Sequence, residues 1–313
     1  MVRALVTGGA GFIGSHLVDR LIADGASVVV VDDLSTGVSD HVNGAAELVV
    51  GDVCDLDTLR RCAAGVEVVF HLAARKSVAR SVEEPLDTDR ANTGGTLAVL
   101  VAAREAGVRR VVSSSSSSVY GGAAIRPTPE SVTPAPRSPY AVSKLAAEHY
   151  CRVFNELHGI TTVSLRYFNV YGPRQLPGGP YAAVIPAFID ALQRGEAPEV
   201  HGDGMQSRDF TFVDDVVAAN LAAARADSSR CGGKAYNVAG GSEITLLELL
   251  GHIEVAVGRS IPPHHAASRA GDVRHSCADL TAAARDLSWV PRVSMVDGMA
   301  HTAAWFARRG DIA

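Results

Sequence analysis

Lysine is scarce in this 313-residue chain, which has only Lys76, Lys144 and Lys234 among its 29 basic residues. The formal net charge is -5 at pH 7, and no obvious run of basic residues offsets it. The charge balance therefore provides no general attraction for the phosphate backbone of nucleic acids. No pair of histidine, cysteine or acidic residues has the spacing of metal ligands, so we expect no metal site.

Long apolar runs are missing as well. No segment reaches the roughly 18 apolar residues of a membrane-spanning helix, and glycines interrupt the start of the chain where a signal peptide would have its apolar core. The cysteines are odd in number and form no CxxC pair, which favours reduced thiols and a cytoplasmic location. We expect packing roles rather than catalysis for all five, which are Cys54, Cys62, Cys151, Cys231 and Cys277.

Hydrophobic residues make up 47% of the chain and charged residues 20%, which excludes disordered and fibrous classes. Short runs of β-branched residues alternate with longer helical patterns. These runs are continuously apolar, as in a parallel sheet that is covered on both faces. The pattern predicts strands over residues 3–6, 27–32, 47–50, 67–72, 110–115 and 161–167.

A glycine-rich segment, TGGAGFIG, follows the first predicted strand and opens the first predicted helix. Its glycines, Gly8, Gly11 and Gly14, allow a tight turn and a close approach of the backbone to a pyrophosphate. The pyrophosphate would then lie against the N–H groups at the helix N-terminus. A turn without a ligand is the alternative interpretation, but the strand–loop–helix context favours dinucleotide binding.

These features predict a Rossmann-like, doubly wound α/β fold with a smaller C-terminal substrate-binding lobe. Beyond Asn169 the pattern loosens into loops rich in glycine and proline, before one more helix (212–224) and strand (235–238). We therefore predict an NAD-binding domain over residues 1–168 and 211–240. The substrate lobe would comprise residues 169–210 and 241–313.

The second predicted strand ends at Asp32, where an acid can accept hydrogen bonds from a ribose diol. Asp33 is adjacent and is the alternative candidate. The segment DLSTG that follows contains no arginine to pair with a 2′-phosphate, which favours NAD over NADP. Asp52 and Val53, at the end of the third strand, are expected at the adenine edge, although Asp52 could instead cap the helix that begins near Asp55.

Tyr140 and Lys144 are four residues apart in a helical pattern, so their side chains share one face. A neighbouring ammonium group and a cationic nicotinamide ring would lower the pKa of the phenol, which would let it act as a base at neutral pH. His71 is flanked by apolar residues at a strand end. We interpret it as a packed histidine rather than an acid or a ligand.

The sequence resembles the extended short-chain dehydrogenase/reductase family, and within it the UDP-hexose 4-epimerase branch. The resemblance covers nearly the whole chain. It is carried by the segments TGGAGFIG, VVDDLSTG, GDV, HLAARKSV, NTGGT, SSSSVYG, SPYAVSK, RYFNVYGP, SRDFTFVDDV and SRAGDV. The resemblance implies a catalytic trio of Ser116, Tyr140 and Lys144.

The same resemblance implies where the cofactor and the substrate bind. The implied NAD-binding residues are Gly8, Gly11, Phe12, Ile13, Gly14, Asp32, Asp33, Ser35, Thr36, Gly37, Asp52, Val53, Leu72, Ala73, Ala74, Lys76, Asn92, Tyr140, Lys144 and Tyr167. The implied UDP-sugar residues are Ser117, Ser118, Asn169, Ala183, Val184, His201, Arg208, Arg269, Asp272 and Ser276. Among these, Arg208 and Arg269 would clamp the diphosphate, because guanidinium groups match phosphate oxygens.

The implied chemistry is a reversible oxidation at carbon 4 of the sugar. Tyr140 would take the proton of the 4-hydroxyl while NAD accepts the hydride from carbon 4, and Ser116 would hydrogen-bond the same oxygen. The 4-keto sugar would turn and take the hydride back on its other face, so NAD is not consumed. A homodimer, formed through helices near 93–106 and 141–156, is a family expectation.

The residues after Ser116 indicate the branch of the family. The related 4,6-dehydratases carry Asp and Glu there and UDP-glucuronate decarboxylases carry a Glu, whereas this chain has Ser117 and Ser118. Epimerisation is therefore favoured over dehydration and decarboxylation. A non-catalytic, NAD-sensing protein with this fold is the alternative from another class; such proteins typically lose the tyrosine or the lysine, and both are present.

The identity of the preferred sugar is predicted from three serines. Ser276 falls where the family has a bulky tyrosine, which leaves room for a larger or charged sugar. Ser117 and Ser118 could donate hydrogen bonds to a carboxylate on carbon 5, so we predict interconversion of UDP-glucuronate and UDP-galacturonate. Asn169 is the residue that galactose-type enzymes carry, and UDP-glucose and UDP-N-acetylglucosamine are the next candidates.

Overall fold

A computed structural model of the chain describes residues 2–176, 183–268 and 273–310. The strands in these ranges are β1 (Arg3–Thr7), β2 (Ser27–Asp32), β3 (Glu47–Val50), β4 (Val68–His71), β5 (Arg110–Ser116), β6 (Thr161–Tyr167), β7 (Val170–Tyr171), β8 (Glu199–His201), β9 (Ser207–Asp209), β10 (Thr211–Phe212), β11 (Lys234–Val238), β12 (Glu243–Thr245), β13 (His264–Ala266) and β14 (His275–Ser276). The predicted strands 27–32, 47–50 and 161–167 are confirmed in full. The strands predicted over 3–6 and 110–115 are one residue longer at their C-terminal ends, and the strand predicted over 67–72 is one residue shorter at each end.

The helices of the same ranges are α1 (Phe12–Ala23), α2 (Leu56–Ala63), α3 (Val78–Glu83), α4 (Pro85–Asp89), α5 (Gly95–Glu105), α6 (Pro139–His158), α7 (Val184–Arg194), α8 (Val213–Arg225), α9 (Ser228–Cys231), α10 (Leu246–Val257), α11 (Thr281–Leu287) and α12 (Met295–Gly310). None of these helices is both long and apolar enough to cross a bilayer.

The main sheet is parallel, with seven strands among the described residues in the order β11-β6-β5-β4-β1-β2-β3. Alternate side chains of β2 enter two separate cores. Val28 and Val30 pack with Leu17 of α1 and Val216 of α8, whereas the next valines along the strand pack with helices α2 and α5. Both faces are therefore covered, which explains the continuous apolar runs and confirms the predicted α/β fold.

A second core lies outside this sheet. Helices α7, α10 and α12 bury apolar side chains together, including Ile185, Leu249 and Met299. Short strands accompany these helices in three small sheets: β7 with β10, β8 with β13, and β9 between β12 and β14. The predicted domain boundaries stay a prediction. The structure adds that Ala283 and Trp289, assigned to the lobe, pack in the core beneath the main sheet.

Helix α6 is fastened to the main sheet by a buried ion pair. The guanidinium of Arg166 on β6 donates from Nε and Nη2 to the two carboxylate oxygens of Glu148, at 2.9 and 2.7 Å. The two side chains are only 6% and 8% exposed. Ser115 of β5 also donates to Glu148, and the Nη1 of Arg166 donates to the hydroxyl of Tyr120 at 2.8 Å. Each charge thus has several polar partners, as a buried pair requires.

Removing one partner of this pair should destabilise the fold. Glu148→Leu leaves the Arg166 guanidinium buried without its counter-charge, so we expect the free energy of unfolding to fall by about 3–5 kcal/mol. Urea denaturation measures the loss. The double variant Glu148→Leu/Arg166→Met should recover part of it, because no unpaired charge is left.

A matched control is the exposed pair between Arg60 and Glu105. Glu105→Gln should leave the urea midpoint almost unchanged, since exposed pairs contribute little. Equal losses from Glu148→Leu and Glu105→Gln would contradict the role of the buried pair.

Candidate active site

A cleft lies at the carboxyl ends of β1, β2, β4 and β5, where the loops that follow these strands come together. Most of the predicted cofactor residues line it: Gly8, Gly11, Phe12, Ile13, Gly14, Asp32, Asp33, Ser35, Thr36, Asp52, Val53, Leu72, Ala73, Ala74, Lys76, Tyr140, Lys144 and Tyr167. Other residues that line the cleft were not predicted from the sequence: Val31, Gly51, Arg75, Arg90, Ala91, Ser114 and Ser115. Gly37 and Asn92 were predicted but are not among the described residues that line it.

The glycine loop has no room for side chains. A Cβ on Gly14 would lie 2.1 Å from the carbonyl oxygen of Gly8, and a Cβ on Gly8 would lie 2.6 Å from the nitrogen of Ala73. Gly8 also has φ +73°, which favours glycine. Gly11 precedes α1 and provides no side-chain cap, and the first residues of the helix line the cleft. The loop therefore fits the pyrophosphate of a dinucleotide.

Asp32 and Asp33 have different environments. Asp32 is 7% exposed and accepts hydrogen bonds from the main-chain nitrogens of Ala10 and Leu34, both at 2.9 Å. Burial raises its pKa. A Cβ on Gly37 would come within 2.8 Å of the Asp32 carboxylate. This glycine therefore leaves room for the carboxylate, although it does not itself line the cleft. Asp33 is more exposed and instead accepts from the N–H and hydroxyl of Ser35.

The alternative role for Asp52, a helix cap, is wrong. Helix α2 begins after Asp55, whose carboxylate accepts from the nitrogens of Asp57 and Thr58. Asp52 accepts from the nitrogen of Cys54 at 2.8 Å and pairs with Arg90, also at 2.8 Å. It therefore lies at the rim of the cleft, in a position consistent with the predicted adenine edge.

Asn92 does not line the cleft but holds a loop that does. Its side-chain oxygen accepts from the nitrogen of Arg75 at 2.7 Å, and its side-chain nitrogen donates to the Arg75 carbonyl and to the Ser143 hydroxyl. Asn92 thus fixes the loop that carries Lys76, which does line the cleft. Burial lowers the pKa of Lys76.

The predicted trio meets where α6 passes the end of β5. Ser138 caps α6 through the nitrogen of Ala141, and Tyr140 follows in the first turn. The Nζ of Lys144 donates to the carbonyl and hydroxyl oxygens of Ser114, at 2.9 and 3.2 Å. Burial lowers the pKa of Lys144 to about 8. The side chain of Ser116 lies close enough to the phenol of Tyr140 to lower its pKa.

Ser116 is held as a hydrogen-bond donor. Its hydroxyl oxygen accepts from the hydroxyl of Ser118 at 2.9 Å and from the Ser118 nitrogen at 3.2 Å. Because its lone pairs are used in this way, its own hydrogen remains available to a further acceptor. Ser118 was predicted to face the sugar, but the structure turns its hydroxyl towards Ser116.

The pKa of the Tyr140 phenol moves in the direction opposite to our prediction. Burial raises it, and the nearby Ser116 side chain offsets only part of that effect. The predicted decrease assumed that the ammonium of Lys144 acts on the phenol. In the structure this ammonium donates to Ser114, so the protein groups alone do not favour a phenolate. The cationic ring of bound NAD, which the prediction also invoked, would lower this pKa further.

His71 is a packed histidine, as predicted. Its two ring nitrogens share hydrogen bonds with the hydroxyls of Thr7 and Thr96, at 2.7 and 2.9 Å. Burial lowers its pKa to about 3, with a smaller contribution from Lys144. The ring is therefore neutral in the physiological range. No group of three histidine, cysteine or acidic side chains in the described ranges could hold a metal ion.

Several predicted substrate residues come together at β9. Ser276 on β14 lies opposite Arg208 of β9, and the side chain of Asn169 donates to the carbonyl of Asp209 at 3.0 Å. The Nη1 of Arg208 donates to the carbonyl oxygens of Ser207 and Arg274. The other described positions are Ala183 and Val184, at the start of α7, and His201, at the end of β8. Arg269 and Asp272 lie outside the described residues.

A cradle for pyrophosphate, an acid at the end of β2 and a tyrosine–lysine helix on one cleft define a nicotinamide-dinucleotide enzyme. The model of the NAD dependent epimerase/dehydratase family matches residues 4–239. This chain belongs to that family, and its cofactor is NAD.

Comparisons with known proteins agree with this family assignment. The chain is 43% identical to the UDP-glucose 4-epimerase of Mycolicibacterium smegmatis, over 98% of this chain and 99% of that protein. The UDP-glucose 4-epimerase of Thermotoga maritima, solved with UDP-glucose, is 38% identical with a TM-score of 0.94 and covers 98% and 99% of the two chains. A protein named MoeE5, solved with UDP-glucuronic acid and NAD, is 37% identical with a TM-score of 0.88 and the same coverage.

Removing the Tyr140 hydroxyl should abolish most of the turnover. We expect Tyr140→Phe to lower kcat by at least about a hundredfold, because general acid–base groups contribute on that order. The NAD content of the purified protein should change little. Steady-state kinetics and the absorbance of released cofactor measure the two quantities.

The control is Tyr150→Phe, which makes the same chemical change at an exposed position of the same helix. It should retain the wild-type rate. Near-normal turnover of Tyr140→Phe would remove this tyrosine from the mechanism.

Proposed function

We propose that this protein is an NAD-dependent UDP-sugar 4-epimerase. The observation that carries the proposal is that Tyr140 lies close to a serine, Ser116, whose oxygen already accepts two hydrogen bonds from Ser118. Such a pair can hold and return one proton at a sugar hydroxyl. The names of the relatives at 43% and 38% identity support the same reaction.

Each residue of the trio has a separate task. Tyr140 takes the proton from the sugar 4-hydroxyl and later returns it. Ser116 donates to the same oxygen, and because it is held in advance it requires no reorganisation as charge develops. Lys144 fixes this turn of α6 to β5 through Ser114 and offers a positive charge to the cofactor side of the cleft. NAD, when bound, accepts a hydride from carbon 4 and gives it back.

Dehydration and decarboxylation require a further acid or base, which the residues beside Ser116 do not provide. Both following positions are serines, and they begin a short 3-10 helix (Ser117–Tyr120). Neither hydroxyl can remove a proton from carbon 5 at neutral pH. The position of these serines therefore supports a reaction that acts at carbon 4 alone.

The predicted substrate residues outline a place for the UDP-sugar. Arg208 and Ser276 are neighbours across β9 and β14, and Asn169 is tied to the same strand through Asp209. We propose that Arg208, together with Arg269 and Asp272, holds the diphosphate and ribose of the nucleotide. The small side chain of Ser276 leaves space beside this guanidinium.

We propose UDP-glucuronate and UDP-galacturonate as the pair of substrates. Ser117 is half-buried beside Ser116 and can donate to a carboxylate on carbon 5, and MoeE5 was solved with UDP-glucuronic acid. UDP-glucose is the second candidate. Two observations favour it: the hydroxyl of Ser118 is engaged with Ser116, and the Mycolicibacterium relative is named a UDP-glucose 4-epimerase.

The choice of sugar can be tested with single variants. We expect the wild type to use UDP-glucuronate with a kcat/KM about 10 to 100 times that for UDP-glucose, since a hydrogen bond to a charged group contributes roughly 1.5–3 kcal/mol. Ser117→Ala should lose this preference. Ser118→Ala should instead lower kcat for every UDP-sugar, because it frees Ser116.

Product analysis by NMR with UDP-glucuronate, UDP-glucose and UDP-N-acetylglucosamine provides the measurement. The matched control is Ser131→Ala, at an exposed serine that does not line the cleft. A wild-type preference for a neutral sugar would overturn the glucuronate proposal and leave 4-epimerisation intact. Absence of any 4-epimer would overturn the proposed reaction itself.

A homodimer and a cytoplasmic location remain predictions. Exposed apolar side chains of α3, α4 and α6 support the first: Val82, Leu86, Val142, Tyr150 and Val153. Light scattering should give twice the 32.6 kDa of one chain, and a monomer mass would contradict the dimer. The five cysteines form no disulfide, which is consistent with a reducing compartment.

A further inference from the structure

Arg75 crosses the mouth of the cofactor cleft. It follows β4, and in the sheet β4 and β2 lie on either side of β1. Its guanidinium nevertheless contacts two residues of the loop after β2, donating to the hydroxyl of Ser35 and pairing with Asp33 at 3.4 Å. The side chain therefore passes over the end of β1, where the glycine loop begins.

This arginine is fixed along its whole length. Its main-chain N–H and carbonyl are both bound to the side chain of Asn92. Its Nε donates to Asp87 at 3.1 Å, and only 26% of the side chain is exposed. Asp33 is fixed in turn by two hydrogen bonds from Ser35. The guanidinium is thus held between two carboxylates.

Position and charge make Arg75 relevant to the choice of cofactor. In dinucleotide-binding folds an acid at the end of the second strand accepts the ribose hydroxyls of NAD, whereas a nearby arginine accommodates the 2′-phosphate of NADP. This cleft contains both groups, since Asp32, Asp33, Ser35 and Arg75 all line it. The arginine that is missing from the segment after β2 is supplied by the loop after β4.

We propose that Asp33 is a second determinant of NAD specificity, and that it acts by occupying Arg75. Asp32 recognises the ribose, while Asp33 and Asp87 neutralise the guanidinium that would otherwise bind a 2′-phosphate. Neutralising Asp33 leaves the side of Arg75 that faces Ser35 without its carboxylate partner. This change favours the binding of NADP, which carries the additional 2′-phosphate.

A second arginine at the rim has a different arrangement. Arg90 lines the cleft and pairs with Asp52 at 2.8 Å, but Asp52 lies at the end of β3 rather than in the loop after β2. The proposal therefore assigns the change in specificity to Arg75 alone. It rests on NAD binding in this cleft and is independent of which sugar reacts.

The experiment measures bound nucleotide rather than activity. Purified protein is incubated with mixtures of NAD and NADP until the bound fraction is constant, and the nucleotides released on denaturation are separated by chromatography. We expect Asp33→Asn to raise the bound ratio of NADP to NAD at least about tenfold over the wild type, at equal free concentrations. Asn retains the turn with Ser35 but removes the charge.

Two further variants make the test specific. Asp33→Asn/Arg75→Gln should lose the gain, because the guanidinium that would bind the phosphate is gone. Asp87→Asn also removes one carboxylate from Arg75, on the side away from Ser35, and should change the ratio less than Asp33→Asn. An unchanged ratio in Asp33→Asn, or a gain that persists without Arg75, would overturn the proposal. Failure of the 4-epimerase reaction would leave these ratios unaffected.

Discussion

The site depends on how helix α6 is held against strand β5. Three consecutive serines of the strand each lie close to one side chain of the helix: Ser114 accepts from Lys144, Ser115 donates to Glu148, and Ser116 lowers the pKa of Tyr140. The three partners are spaced four residues apart and so share one helical face. The serine run is thus a row of polar contacts rather than a linker, and it fixes the catalytic turn relative to the sheet.

Burying these charges is costly, and the fold offsets the cost with polar partners on the neighbouring strands. Arg166 neutralises Glu148 below the catalytic turn. Lys144 donates instead to the uncharged Ser114, and burial lowers its pKa to about 8. Burial also disfavours the charged form of Tyr140 and therefore raises its pKa. A positive charge brought by the cofactor would therefore favour the ionised phenol, which couples proton transfer to an occupied cleft.

The sequence predicted the framework well, because the framework is local. Continuous valine runs such as that of β2 define buried parallel strands, and the glycine spacing defines the loop. Contacts between distant segments were not predictable. Nothing in the spacing places Arg75 against Asp33 or joins Asn92 to the main chain of Arg75. The serine run was visible, but its partners on α6 lie about 30 residues away.

The central claim is that the cleft removes hydrogen from carbon 4 of a UDP-sugar and returns it to the same carbon. The most direct measurement uses a UDP-sugar labelled with deuterium at carbon 4, with mass spectrometry and NMR of the epimer formed. The account predicts a 4-epimer that retains deuterium at carbon 4, with none lost to water. An epimer with hydrogen from solvent at that carbon, or an unchanged sugar, would contradict it.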